Sequence, residues 1–481
     1  MLRSTLFLVA AQLVSTPLSM VVNAVLARHL GAGDFGTIYL ATNVATLSFL
    51  LVEWGQGGAL PVTIARRPSD APRLLGSGLA FRTGAAMLAF LATQVAARLA
   101  GYPPVVRLAL GLVVAQSTVA TMTLACSATL RGFERIDQVA GIQMAAGMFN
   151  ALLVIPVVAA GGGLSGALLA QIGAAVATLV FASWLVFRLR IGRLLVSPAG
   201  LREVLSTGSG FLAVSIVLAL QPNIDAVMLS KLAPGQVIGW HGAAAKVVGI
   251  LIFPATTLSA ALYPTLARLF GEDRSVFLHL ARLGYELTLL LGIPAAVGTI
   301  VFADTIVAIA FGRSGFAPAA DNLRVLSLFV LLVYLNIVSG FVLAAAGREK
   351  SWATAQSLCL VISVIFDPIL IPLLQANTGN GGLGVCLAIV ASEMCMTAAA
   401  VALLPRGMLD RHVLGCALRT LAAGVAMFAA GALLSRWSVA AAVAGSLLVY
   451  LAVLSAIGGI HAEHREMART LLRSLARRRV G

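Results

Sequence analysis

Runs of about twenty apolar residues, bounded by charged or Gly/Pro clusters, recur from the start of this chain to about residue 460. A run of that length is what one α-helix needs to cross a bilayer. Only 11% of the 481 residues are charged and the mean hydropathy is +0.99, whereas soluble domains carry roughly 25% charged residues. The sequence therefore predicts an all-α polytopic membrane protein with no room for a soluble domain. The first run continues past Pro17 to Ala27 without a settled small-residue cleavage site, so it is read as a retained span and not as a signal peptide.

Dividing the apolar runs at their breaks predicts about fourteen transmembrane helices: 5–28, 36–60, 76–100, 105–130, 139–160, 164–187, 208–231, 236–264, 281–311, 320–346, 352–374, 383–404, 413–434 and 438–460. An even number places both termini on one side, and Lys and Arg favour the cytoplasm. With the N-terminus inside, 24 of the 33 Lys and Arg fall inside and seven outside. A missed helix would invert every later loop and erase that asymmetry. The net charge of +15 is then mostly topological and implies no nucleic acid. The tail HREMARTLLRSLARRR aligns Met467, Leu471 and Leu475 beside Arg465, Arg469, Arg473 and Arg477, a pattern suited to anionic phospholipids of the inner leaflet. The five cysteines lie in apolar segments without C-x-x-C spacing and read as small core residues.

The longest polar interruption, Arg188 to Gly208, divides the chain. It suggests an N-terminal lobe at 1–187, an inter-lobe linker at 188–207, a C-terminal lobe at 208–404, two further helices at 405–460 and a basic tail at 461–481. A shift of 203 residues places Arg28 on Lys231, Gly36 on Gly239, Ala41 on Ala244, Val44 on Val247 and Pro61 on Pro264. Duplicated, pseudo-symmetric lobes are a transporter architecture.

Gly31-Ala-Gly33-Asp-Phe-Gly36 satisfies the written form of a dinucleotide loop. That loop works only between a buried strand and a helix N-terminus, and here a membrane span precedes it. Asp34-Phe35-Gly36 likewise lacks the other kinase elements. The glycines are expected to serve a tight turn and close helix packing. No Walker loop, G-x-S-x-G or H-E-x-x-H occurs, and HAEH at His461–His464 sits in the basic tail, so no catalytic residue and no metal site are expected.

The stretches LARHLGAGDFGTIYLATNV, LLVEWGQGGALPVTIAR and NIDAVMLSKLAPGQVIGWHGAAAKVVGILIFPATTLSAALYPTLARL resemble the polysaccharide-transporter branch of the multidrug/oligosaccharidyl-lipid/polysaccharide (MOP) exporter superfamily. The resemblance covers essentially the whole chain, through degenerate motifs. It implies a flippase in the bacterial inner membrane, moving undecaprenyl-diphosphate-linked oligosaccharide repeat units for exopolysaccharide, O-antigen or capsule by alternating access. A polysaccharide polymerase and chain-length machinery would be partners. No cofactor is implied, and coupling to H⁺ or Na⁺ is left open. Two alternatives stand beside it: a cation-coupled multidrug exporter of the same superfamily, and a membrane polymerase or ligase. The latter class usually needs a large outer loop, and the predicted outer loops are short.

An ionisable side chain in a span is costly unless it faces a cavity or a partner. A lipid diphosphate needs cations, for which the candidates are Arg28, Arg82, Lys231 and Lys246. The carboxylates Glu53, Asp225, Asp367 and Glu393 are candidates for ion coupling or for internal charge pairs. Glu53 resembles an acidic position of lipid II flippases, which also have an arginine matching Arg28.

Overall fold

The computed structural model describes residues 2–312 and 315–459; the predicted basic tail and the HAEH segment lie outside them. Every regular element described is helical, as a chain immersed in hydrocarbon requires when each backbone group must be satisfied within its own segment. In order these are α1 (Leu2–Glu53), α2 (Gln56–Arg66), α3 (Ala71–Leu99), α4 (Pro104–Gly132), α5 (Ile136–Ala159), α6 (Gly163–Arg188), α7 (Pro198–Leu232) and α8 (Gly235–Leu251). There follow α9 (Phe253–Glu272), α10 (Arg274–Phe311), α11 (Pro318–Ala345), α12 (Glu349–Thr378), α13 (Gly382–Leu403), α14 (Arg411–Leu434) and α15 (Val439–Ala456).

Several helix boundaries differ from the sequence expectation for identifiable reasons. The predicted spans 5–28 and 36–60 are joined with no loop between them: one residue, Gly31 (φ 75°, ψ 175°), interrupts the 52-residue α1. An uninterrupted helix of that length would run about 78 Å, more than twice a hydrocarbon core of about 30 Å, so α1 supplies two passes. The second of them breaks again at Trp54 (φ 51°) and Gly55 (φ 66°) before α2. The eighth predicted span is α8 and α9, divided at Ile252 ahead of Pro254. Among the described residues, twelve stretches are long and apolar enough to cross a membrane, the stretch Ala11–Arg66 being counted as one.

The chain forms two compact units. The first holds the residues up to Ala243 with Ala308–Phe316 and Asp367–Gly382. Its core joins α3, α4, α5 and α6 through Leu75, Cys126, Leu130, Ile142 and Leu185, and α2, α3, α4 and α7 through Leu60, Ile64, Leu74, Ala128 and Val204. Small residues set the approach distances: a Cβ on Gly132 would lie 2.7 Å from Ile64. Residues 189–197 form the connection to α7, and it is tied to α3. Leu195 N donates to Pro72 O (3.2 Å), and Glu203 pairs with Arg67 and with Arg73 (2.8 Å).

The second unit comprises Ala244–Val307, Ala317–Phe366 and the chain from Leu383. Phe277, Tyr285, Val342, Trp352, Met396 and Val413 centre one cluster, and Leu289, Ile293, Met427 and Tyr450 another. Trp352, the first residue of the predicted span 352–374, thus packs into the first of these clusters. Asp273 caps α10, accepting from Ser275 Oγ (2.7 Å), Ser275 N (2.9 Å) and Val276 N (3.2 Å). Those bonds hold its carboxyl below the usual range. Leu88, Val180 and Leu448 are each more than 60% exposed, the outward apolar surface that acyl chains cover.

Candidate functional site

Where α1 resumes after Gly31, it runs against the start of α8. A Cβ on Gly36 would sit 2.5 Å from Gly235 O and 2.7 Å from Gly239 N; one on Gly239 would sit 2.0 Å from Ala32 O. The two glycines equated by the internal repeat therefore face each other, backbone to backbone. Only residues lacking Cβ permit that approach. Gly33, by contrast, has nothing within 4 Å of its Cβ position. Close helix packing is the role of the third glycine of the G-x-G-x-x-G stretch, and a chain break that of the first.

The repeat-related cations beside this crossing have equivalent tasks. The Arg28 guanidinium donates to Ile309 O, a carbonyl in the last turn of α10. Lys231 Nζ donates to Ala100 O (2.5 Å), at the end of α3, and lies 3.4 Å above the Tyr102 ring. Each cation satisfies orphan carbonyls at a helix C-terminus, where the dipole favours positive charge. Each also remains exposed.

Arg82 is fully buried. Its Nε donates to Gln56 Oε1 (3.0 Å), and its Nη1 to Thr121 O (2.5 Å) and Thr121 Oγ1 (2.6 Å), bracing α2, α3 and α4 together. Its Nη2 and the neighbouring Gln56 Nε2 have no hydrogen-bond partner among the described residues. Glu53 ends the main part of α1, its carboxylate in space left by Gly57, whose Cβ would lie 2.3 Å from Oε1. The break after Glu53 is clamped by α7: Trp54 Nε1 donates to Leu205 O (3.0 Å), and a Cβ on Gly208 would lie 2.2 Å from Trp54 O. Arg82→Leu is expected to cost about 3 kcal/mol, because Gln56 and Thr121 acceptors lose a charged donor in a dry site. Thermal unfolding of the detergent-solubilised protein measures it, and a midpoint equal to wild type would show that the brace carries no stability.

Asp225 of α7 and Asp367 of α12 are 2% and 0% exposed, and their carboxyls lie close enough to interact with each other. Pro368, directly after Asp367, lies inside α12 and removes one intrahelical donor. Two carboxyl groups cannot remain both ionised and adjacent in an apolar site without a proton or a cation between them. Among the described residues no cluster of three or more His, Cys, Asp or Glu could hold a metal. Glu393 belongs to the second unit. It is 9% exposed and accepts from Asn336 Nδ2 (2.5 Å), whose Oδ1 accepts from Thr397 Oγ1 (3.1 Å). Lys246 also belongs to the second unit, exposed on α8.

The structure thus joins Asp225 with Asp367, and gives Arg28 and Lys231 parallel positions. It also adds Gln56, Thr121 and Asn336, which the sequence reading did not single out. Neutral amides and hydroxyls carry no charge signal, and their only sequence mark is a polar residue in an apolar run.

Residues 1–270 match the family described as polysaccharide biosynthesis protein, and residues 211–369 match MatE. The chain belongs to the polysaccharide biosynthesis protein family. It is a multi-pass membrane protein whose helices are long and apolar enough to cross a bilayer. It superposes on a lipid II flippase, MurJ, in an inward closed conformation (TM-score 0.73, 14% identity, 94% of this chain and 98% of that one). An inward-facing multidrug resistance MATE family transporter aligns with a TM-score of 0.64 at 16% identity over 81% and 92% of the two chains. A Vibrio cholerae MATE transporter aligns at 0.58 and 16% over 83% and 95%. At these identities the likeness concerns the fold. No curated protein matches the chain.

Proposed function

We propose that this protein is a flippase for diphosphate-linked oligosaccharide lipids, working by alternating access in a bacterial inner membrane with both termini in the cytoplasm. It would supply a polysaccharide polymerase and chain-length machinery on the other side. The observation that carries the reading is Lys246. It is an exposed ammonium within the 38-residue apolar stretch Gly235–Glu272, and a lone cation at that depth needs water or an anionic ligand against it. A diphosphate is such a ligand. The match of residues 1–270 to a polysaccharide biosynthesis family supports the glycolipid part of the substrate.

In this reading the α1–α8 glycine crossing closes the periplasmic exit. When it parts, Arg28 and Lys231 exchange their helix-end carbonyls for the departing diphosphate. Asp225 and Asp367 hold the coupling ion, H⁺ or Na⁺, and Arg82 and Glu53 support the second pass. Lys246→Ala is expected to abolish polymer export at wild-type membrane abundance, with Lys246→Arg retaining part of it. Full export by the alanine variant would overturn the assignment. The MatE match over 211–369 favours a second reading, cation-coupled drug export. That reading requires deletion of the gene to lower drug resistance and Lys246→Ala to leave resistance intact.

A further inference from the structure

The first unit contains a pocket of about 430 Å³ between α4, α5 and α6, apart from every charged group discussed above. Its size falls in the range of small-ligand sites, about 300–1,000 Å³. Each helix contributes one stripe at helical spacing. Gln116 and Thr123 come from α4, Gln143 and Asn150 from α5, and Gln171 and Thr178 from α6. The alanines between them, Ala120, Ala146 and Ala174, leave the volume open. Arg131, at the end of α4, marks one end of the pocket. From Gln116 to Arg131 the α4 stripe extends roughly 22 Å.

Amides at this depth are costly against lipid, so the pocket needs a polar occupant. The side chains show which kind. Asn150 Oδ1 is buried and has no partner among the described residues. Thr178 Oγ1 and Thr123 Oγ1 donate to the carbonyls of Ala174 (2.7 Å) and Val119 (3.4 Å) on their own helices, which leaves their lone pairs facing outward as acceptors. Gln143 is held from behind, its Nε2 donating to Gln12 Oε1 and Ser15 Oγ. The lining therefore carries amides and hydroxyls, which both donate and accept, on three helices, with no carboxylate among its residues and one guanidinium at the end. Hydroxyl groups in numbers, next to an anion, match that set. An acyl chain would strand the amides, and an organic cation would meet Arg131.

We infer that the α4–α5–α6 pocket is a glycan subsite: its amides and hydroxyls exchange hydrogen bonds with sugar hydroxyls of the transported lipid, with Arg131 on the adjoining diphosphate. This inference rests on the flippase reading and adds to it a place for the sugar. The test uses the full-length protein in nanodiscs and two probes, farnesyl diphosphate and farnesyl diphosphate bearing a neutral disaccharide, titrated calorimetrically. Wild type is expected to bind the glycosylated probe at least about tenfold more tightly. Asn150→Leu and Gln171→Leu should lose that preference while holding farnesyl diphosphate within about twofold of wild type. Ala175→Trp, which fills the pocket without removing a polar group, should do the same, and thermal unfolding verifies that each variant is folded. A preference retained in all three variants overturns the inference. So does wild type binding both probes equally, which leaves the flippase reading standing. Binding of neither probe overturns both.

Discussion

Gly239→Ala is expected to reduce transport by about tenfold or more and to leave the protein folded in the membrane. The added methyl would lie 2.0 Å from Ala32 O, a backbone atom that cannot rotate away, so α1 and α8 must separate. Overpacking of this kind costs about 1–3 kcal/mol, and a bias of that size on one conformation shifts its population by roughly 5- to 150-fold. The closed crossing is the state that loses. A cysteine at Ile38, which is 8% exposed, should then react faster with an impermeant maleimide added from the periplasm, in a background where the exposed Cys395 is serine. Gly33→Ala is the control, because its Cβ position is empty. Equal labelling and transport in wild type and Gly239→Ala would show that the crossing is not a gate. Labelling from the cytoplasmic side alone would invert the proposed orientation.

Asp367→Asn should eliminate the dependence of transport on its coupling ion without lowering thermal stability. The amide can replace a protonated carboxyl opposite Asp225, offering the same kind of N–H or O–H donor and removing the titration. A pair that served only to hold α7 to α12 would behave in the opposite way: transport per folded molecule would persist, and any change would appear as a lower unfolding midpoint. Transport in proteoliposomes under imposed pH and Na⁺ gradients, set beside thermal unfolding, separates the two. Retention of the wild-type gradient dependence removes Asp367 from the coupling site.

The membrane fold was legible because hydrocarbon enforces a simple rule, about twenty apolar residues per helical pass, and sequence shows that directly. The repeat was legible too, as Arg28 over Lys231 and Gly36 over Gly239. Break positions were not: the first two passes meet at Gly31 alone, and α8 and α9 divide at Ile252. A glycine's φ and a proline's local effect depend on what packs around them. The charged candidates were also legible as a set, since any ionisable group stands out in an apolar run.

Composition and periodicity by themselves determined that this chain crosses a membrane many times, and they marked the few ionisable residues that fall within its apolar runs. Only the tertiary structure decided their company. Arg82 is enclosed by Gln56 and Thr121, Asp225 meets Asp367, and Glu393 rests on Asn336, pairings across about 26 to 142 residues of chain. Gly36 and Gly239, alike on the page, turn out to touch each other. The physical reason is range. Burial in lipid acts on each residue through its own side chain, and so it is written locally. A hydrogen bond or a backbone contact belongs to two residues at once, and their meeting depends on how distant helices pack.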